Sequence, residues 1–253
     1  MGAALMSYPV DQPVVTPLEQ QQLRVTGELG DTFWHRVRFR LVGRAAAASG
    51  ATTVLDIGAG SGQLGDWIAA HRSSLTYDFE ELSPILDAAL AQRFGADHRG
   101  APGAPVPVTT LITMLDVLEH IEHDREALRE IASRMAPGAQ LLLTVPAFQW
   151  AFTSWDESLG HFRRYSRRQV REVAQAAGLD VRSSAYLFPE LLPLVALRKL
   201  RRTERSDVDF PSLPTWVDRS AELFSRGTTA LRRCWPAGTS VVALLVKPGG
   251  PAR

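Results

Sequence analysis

Three glycines alternate in Thr53-Val54-Leu55-Asp56-Ile57-Gly58-Ala59-Gly60-Ser61-Gly62, directly after a short apolar run. Residues without Cβ let a backbone turn sharply and approach a ligand closely. Where such a turn passes from a strand to a helix, the helix N-terminus presents unpaired N–H groups, which suit a carboxylate or phosphate. An acidic pair, Glu80 and Glu81, closes the next apolar stretch, and Glu81 lies 19 residues after Gly62. That is near the spacing at which an acid accepts hydrogen bonds from ribose hydroxyls. The pattern reads D-x-G-x-G-x-G, opening on Asp56 inside the strand end, rather than the G-x-G-x-x-G of nicotinamide-binding turns. A further polar group, Asp116-Val117-Leu118-Glu119-His120-Ile121, ends the apolar segment 109–115.

These residues need a scaffold that brings strand ends together. Short apolar runs alternate with amphipathic stretches: strands at 54–57, 75–79, 109–115, 140–145, 180–187 and 240–246, and helices at 63–71, 84–94, 124–135, 167–177 and 216–233. Ser83-Pro84 and Ser166 are helix starts, and Gly178 is a helix stop. The Gly-, Pro- and Ala-rich segment 95–107 reads as loop with one further strand degenerate within it. Such alternation predicts an α/β fold, a mostly parallel sheet with helices on both faces. Ligands then bind beyond the carboxyl ends of the strands. Residues 1–16 read as an arm, and 17–48 as two helices hinged at Gly27 and Gly30. The division expected is 1–48, an arm and helical lid carrying Phe33, Trp34, His35 and Phe39, and 49–253, the main domain, elaborated around 186–235.

The bulk numbers narrow the partners. The chain has 253 residues and a net charge of +1, so no global field draws it to nucleic acid or anionic lipid. Its single cysteine, Cys234, excludes an internal disulfide and fits a reducing, cytoplasmic setting. No signal peptide or membrane-length apolar run is present.

The motifs taken together resemble the class I S-adenosylmethionine-dependent methyltransferases. VLDIGAGSG looks like their first motif, EELSP like the acidic end of the second strand, MLDVLEHIEHD like the motif after the fourth strand, and APGAQLLLTVP like the turn and fifth strand. The resemblance spans roughly residues 50–185, and SVVALLVKP fits the reversed last strand. LEHIEHD is similar to the form found in quinone-biosynthesis and other small-molecule methyltransferases. The resemblance implies a Rossmann-like, doubly wound, seven-stranded sheet with a reversed last strand. It implies that Gly58, Ala59, Gly60 and Gly62, with Asp56, shape the pocket for the methionine part of S-adenosylmethionine. Glu81, or Glu80 one register earlier, would hold the ribose, and Met114, Leu115 and Asp116 would line the site near the sulfonium. Relatives carry an acid near the adenine amino group; here that region is the 95–107 loop, with Asp97 in it.

Methyl transfer from a sulfonium is an in-line displacement, so alignment and water exclusion dominate. A hydroxyl, amide or acidic carbon nucleophile also needs a base, most often histidine. His161, within WDESLGHFRRYS after the fifth strand, is the first choice, His120 the second, with Tyr165 assisting. Asp116, Glu119, His120, Glu122, His123 and Asp124 crowd together, but side chains on a turn and helix start point in different directions, so no metal site is expected. The absence of an Asn/Asp-Pro-Pro-aromatic motif argues against a base-flipping nucleic-acid methyltransferase. The expected substrate is a small, partly apolar metabolite. The Arg163–Arg171 basic run and the apolar, basic-ended stretch 186–202 are compatible with an anionic substrate, peripheral membrane contact with a quinone or polyprenyl-type lipid, or a homodimer surface. A non-catalytic, degenerate domain is the remaining rival.

Overall fold

A computed structural model describes residue 19, residues 32–200 and residues 213–249. The arm, the hinge glycines and most of the segment expected as a loop at 203–215 lie outside the described residues. In chain order the elements that position the site are α1 (Phe33–Ser49), β1 (Thr53–Ile57), α2 (Gln63–His71), β2 (Thr76–Glu80), α3 (Pro84–Phe94), β3 (Thr110–Leu115), α4 (Asp124–Arg134), β4 (Gln140–Pro146), α5 (Ser154–Ser158), α6 (Arg167–Ala176), β5 (Asp180–Leu187), α7 (Leu192–Leu200), α8 (Thr215–Ala230) and β6 (Ser240–Val246).

The sheet runs β2-β1-β3-β4-β6-β5. β1, β2, β3 and β4 pair in parallel, and β6 is antiparallel to both β4 and β5. The central strands are buried on both faces, as helix-covered parallel strands must be. One core, with Leu128, Ile131, Val170 and Val173, lies under α4 and α6; the other, with Val37, Leu64, Ile68 and Leu90, lies under α1, α2 and α3. Each well-buried Leu, Val or Ile in these faces contributes roughly 1.5–3 kcal/mol.

The fold is the expected α/β one, but the described residues form six strands, not seven. Where the seventh was expected, only a single parallel bridge, Phe79 to Arg99, continues the edge beyond β2. Pro102, Pro105 and Pro107 each lack the N–H a ladder requires. The expected boundary at residue 48 does not divide the packing. Phe33, Val37 and Val42 of α1 sit in the same core as Val54, Leu111 and Leu142 of the sheet, and Phe39 is buried with them. No helix among the described residues is long and apolar enough to cross a membrane.

Candidate active site

The glycine turn closes against the end of β2. The Gly58 N–H donates to the Glu80 carbonyl (2.8 Å), so β1 and β2 end in register. Gly58, Gly60 and Gly62 all have positive φ, 71°, 56° and 75°, a region in which L residues are strained by about 1–2 kcal/mol. A Cβ at Gly62 would lie 2.6 Å from Phe94 Cε2, and one at Gly58 2.7 Å from Val117 Cγ2. The turn therefore requires glycine for both conformation and space.

Two expected ligands separate here by strand register. β2 ends at Glu80, whose carboxylate is buried and forms a bidentate pair with Arg134 of α4, including a 2.8 Å bond from Nη1. Glu80 is thus spent on the sheet's far face, a correction to its inclusion as a cofactor ligand. Glu81, one residue beyond the strand, turns to the glycine loop. Its Oε2 accepts from the Gly60 N–H (2.8 Å) and its Oε1 from the Ser83 N–H (2.9 Å).

Asp56 is also spent internally. Its Oδ1 accepts from Thr113 Oγ1 (2.7 Å) and its Oδ2 from the Tyr77 hydroxyl (3.2 Å), bracing β1 to both neighbours. Burial pushes its carboxyl up to about 7, against the pull of those two hydrogen bonds and with a push from Glu81. Met114 is fully buried in the core under α4, so its side chain does not line a cleft; Leu115, on the alternate face, is half-buried. Asp97 is exposed on a short turn, and its neighbour His98 pairs with Asp78 (3.0 Å).

Among the described residues, three that are not glycine have positive φ: Asp116 (57°), Phe148 (64°) and Phe188 (55°). They directly follow or nearly follow the carboxyl ends of β3, β4 and β5, which form one edge of the sheet. Strain of this kind costs about 1–3 kcal/mol per residue and clusters at functional sites. Arg38 of α1 joins two of them. It pairs with Asp116 Oδ2 (2.9 Å), lies over the Phe188 ring (5.5 Å to the centroid) and donates to Ser240 Oγ (3.0 Å) at the start of β6. Nothing in the local sequence of α1 marks Arg38; only the fold brings it to the strand ends.

Beside this edge, two segments distant in the chain meet. His161 Nδ1 lies 2.9 Å from Asp156 Oδ1. Asp156 is wholly buried and also accepts from Arg164 Nε (2.7 Å), Arg164 Nη2 (2.9 Å) and the Thr153 N–H (2.9 Å). Burial raises its carboxyl, but the hydrogen bonds from His161 and Arg164, with the Arg164 charge, outweigh that and hold it at about 2. As an ionised carboxylate Asp156 only accepts, so His161 Nδ1 is the donor of this pair and Nε2 is the ring nitrogen left outside it. His120 meets this ring edge-on, with centroids 4.6 Å apart and planes at 83°. Burial, reinforced by His161, lowers His120 to about 4. Glu119 lies beside both rings, wholly buried, and burial with the neighbouring Asp116 charge pushes its carboxyl well above the ordinary range.

Tyr165 does not join them. It is buried, with its hydroxyl donating to Asp124 Oδ2 (2.8 Å), and burial raises it far above the ordinary phenol value. It pins the loop rather than assisting a base. Glu122 and His123 are exposed and Asp124 is turned inward, as expected for diverging side chains. His161 is 41 residues from His120 in the chain, and only the fold brings the two rings beside Glu119. Much of the basic run is also accounted for internally: Arg163 pairs with Asp124, Arg164 with Asp156 and Arg168 with Glu172, while Arg167 donates to Ser184.

A family model described as a methyltransferase domain matches residues 31–184. The chain belongs to this family, the S-adenosylmethionine-dependent class I methyltransferases. The mitochondrial ubiquinone biosynthesis O-methyltransferase of Schizosaccharomyces pombe is 30% identical over 102 residues, 36% of this chain and 36% of that protein. The match thus spans about a third of the curated relative's length. Among solved structures, the N-methyltransferase NodS from Bradyrhizobium japonicum, in complex with S-adenosylhomocysteine, superposes with a TM-score of 0.54 at 16% identity, covering 92% of this chain and 100% of that one. An S-adenosylmethionine-dependent methyltransferase from Archaeoglobus fulgidus gives 0.55 at 14% identity, covering 89% and 98%. At these identities the likeness is one of fold.

Proposed function

We propose that this protein transfers the methyl group of S-adenosylmethionine to an oxygen, nitrogen or carbon atom of a small, partly apolar metabolite. The observation that carries the reading is Glu81 seated on the glycine turn. Each of its oxygens accepts one backbone N–H and keeps capacity for a second donor, which fits a ribose diol. Gly58, Ala59, Gly60 and Gly62 would hold the methionine part, and Leu115 and Asp116 would border the sulfonium. The cofactor supplies an electrophilic methyl group. The protein's own work is to fix the two reactants in line and exclude water. His161, oriented by Asp156, takes the acceptor's proton through Nε2, with His120 beside it.

Isothermal titration with S-adenosylmethionine and S-adenosylhomocysteine tests the cofactor half. Wild type is expected to bind both, and Gly60→Arg neither. Absence of binding by wild type would overturn the reading in favour of a non-catalytic domain.

One observation favours a peripheral membrane setting for the same reaction. Trp216, Leu223 and Phe224 share one face of α8 and are 73%, 71% and 61% exposed, while Asp218 and Glu222 anchor the helix to Arg36 of α1. Interfacial helices present such apolar faces. Flotation with anionic vesicles, lost in a Leu223→Glu, Phe224→Glu double variant, is the expected result; equal recovery of both proteins off the vesicles would remove this setting.

A further inference from the structure

We propose that Glu119, His120 and His161 bind a divalent transition-metal ion beyond the carboxyl ends of β3 and β4. One carboxylate oxygen and one nitrogen from each ring lie within 4.8 Å of one another. That spacing needs only small rotamer adjustments to enclose an ion at the usual distance of about 2.0–2.2 Å per ligand.

The independent observation is Glu119. It is 0% exposed, and neither of its carboxylate oxygens has a hydrogen-bond partner. A buried polar group without a partner is uncommon and costly. The surrounding cations make no hydrogen bond to it: Arg164 is engaged bidentately with Asp156, and Arg38 is turned through Nη2 to Asp116 and Ser240, its buried Nε also lacking a partner. An ion between Glu119 and the two rings satisfies both the carboxylate and the imidazole nitrogens at once.

The outer groups fit the same role. His161 is held through Nδ1 by Asp156, the arrangement in which a carboxylate sets the tautomer and aims the other nitrogen at a metal. Asp156 is itself locked by Arg164 and Thr153. The rings of His120 and His161 meet edge to face instead of stacking, so their planes do not block a common point. Two imidazoles and one carboxylate suit zinc, iron, cobalt or manganese better than calcium or magnesium, which favour all-oxygen sets. Three protein ligands leave a position open, the arrangement of sites that also bind substrate. An ion here takes over His161 Nε2, so the loaded site activates an acceptor oxygen or nitrogen by polarising it, and His161 acts as base only in the ion-free protein.

The inference rests on the proposed methyl transfer only for what the ion polarises; binding itself needs no cofactor. The test is a Co²⁺ titration of the full chain after dialysis against chelator, read by visible ligand-field absorption. Saturation at one Co²⁺ per chain, reversed by Zn²⁺, is expected. His161→Ala and Glu119→Gln should each weaken Co²⁺ binding by more than the roughly 10–100-fold typical of losing an outer-shell partner. Retained S-adenosylmethionine binding in the same samples shows that they are folded, and His120→Ala replaces a variant that is not. No saturable Co²⁺ binding by wild type, or unchanged affinity in the folded variants, overturns the site. Loss of S-adenosylmethionine binding in wild type with Co²⁺ binding intact would instead count against the methyl-transfer reading and leave the metal site standing.

Discussion

The two halves of the proposed site are built on different principles. The half proposed for the cofactor is mostly backbone. Its shape comes from three left-handed glycines and one carboxylate, all within 24 residues of one another. The acceptor half is mostly side chains, drawn from α1, the turn after β3, the loop after β4 and the start of β6. A backbone turn is specified by residues that permit or forbid a φ value. A side-chain cluster is specified by whatever the sheet edge brings within reach. The two halves should therefore fail differently when mutated.

Arg164→Ala should have the largest effect. It leaves the Asp156 carboxylate buried with its bidentate partner removed, a loss of about 3–5 kcal/mol. Thermal unfolding should register it as a markedly lower Tm, with cofactor affinity nearly intact at temperatures where the protein is folded. Equal damage to cofactor binding would break the distinction between the halves.

Gly62→Ala is the matching change on the other side. The positive φ and the 2.6 Å approach to Phe94 predict a cost of about 3 kcal/mol, visible in chemical denaturation. Here cofactor affinity should fall as well, because the strained turn and the binding surface are the same atoms.

Asp56 sharpens the comparison through pH. Its folded value near 7 exceeds the ordinary 3.8, so the folded state holds the proton more tightly than the unfolded chain does. Its contribution is complete below pH 4 and is lost as pH rises towards 7. Between pH 5 and 7 the wild type should lose about 2 kcal/mol relative to Asp56→Asn. Denaturation curves of the two proteins at both pH values check it; parallel behaviour would show that Asp56 ionises normally.

Glu81→Gln should weaken S-adenosylmethionine by roughly tenfold, about 1.5 kcal/mol, through loss of charge-assisted hydrogen bonds. The change is read by titration, with little change in Tm. The smallest effect is expected of Tyr165→Phe. It removes one hydrogen bond to Asp124, which keeps Arg163 (2.9 Å), for about 1 kcal/mol of stability. A drop in kcat beyond that lost fold stability would restore Tyr165 to the chemistry.

The alternation of strands and helices was legible because periodicity is local: β1, β3, β4, β5 and β6 fall within a residue or so of their expected limits. β2 slid by one residue, and that single step moved Glu80 into the sheet and left Glu81 at the turn. Successive strand residues face opposite sides, so one residue of register decides a ligand. Tyr165 lies away from His161 for the same kind of reason. It sits beside His161 in sequence, but Tyr165 N–H bonds to the Pro146 carbonyl and its side chain points into the core.

By itself the sequence determined the family, the alternation of strands and helices and the glycine turn, because each is read from motifs and periods that lie within single elements. Only the tertiary structure decided that Arg38 reaches Asp116, and that His161 reaches Glu119 and His120. Those contacts span 41 or more residues and exist only where strand ends converge on one edge of the sheet.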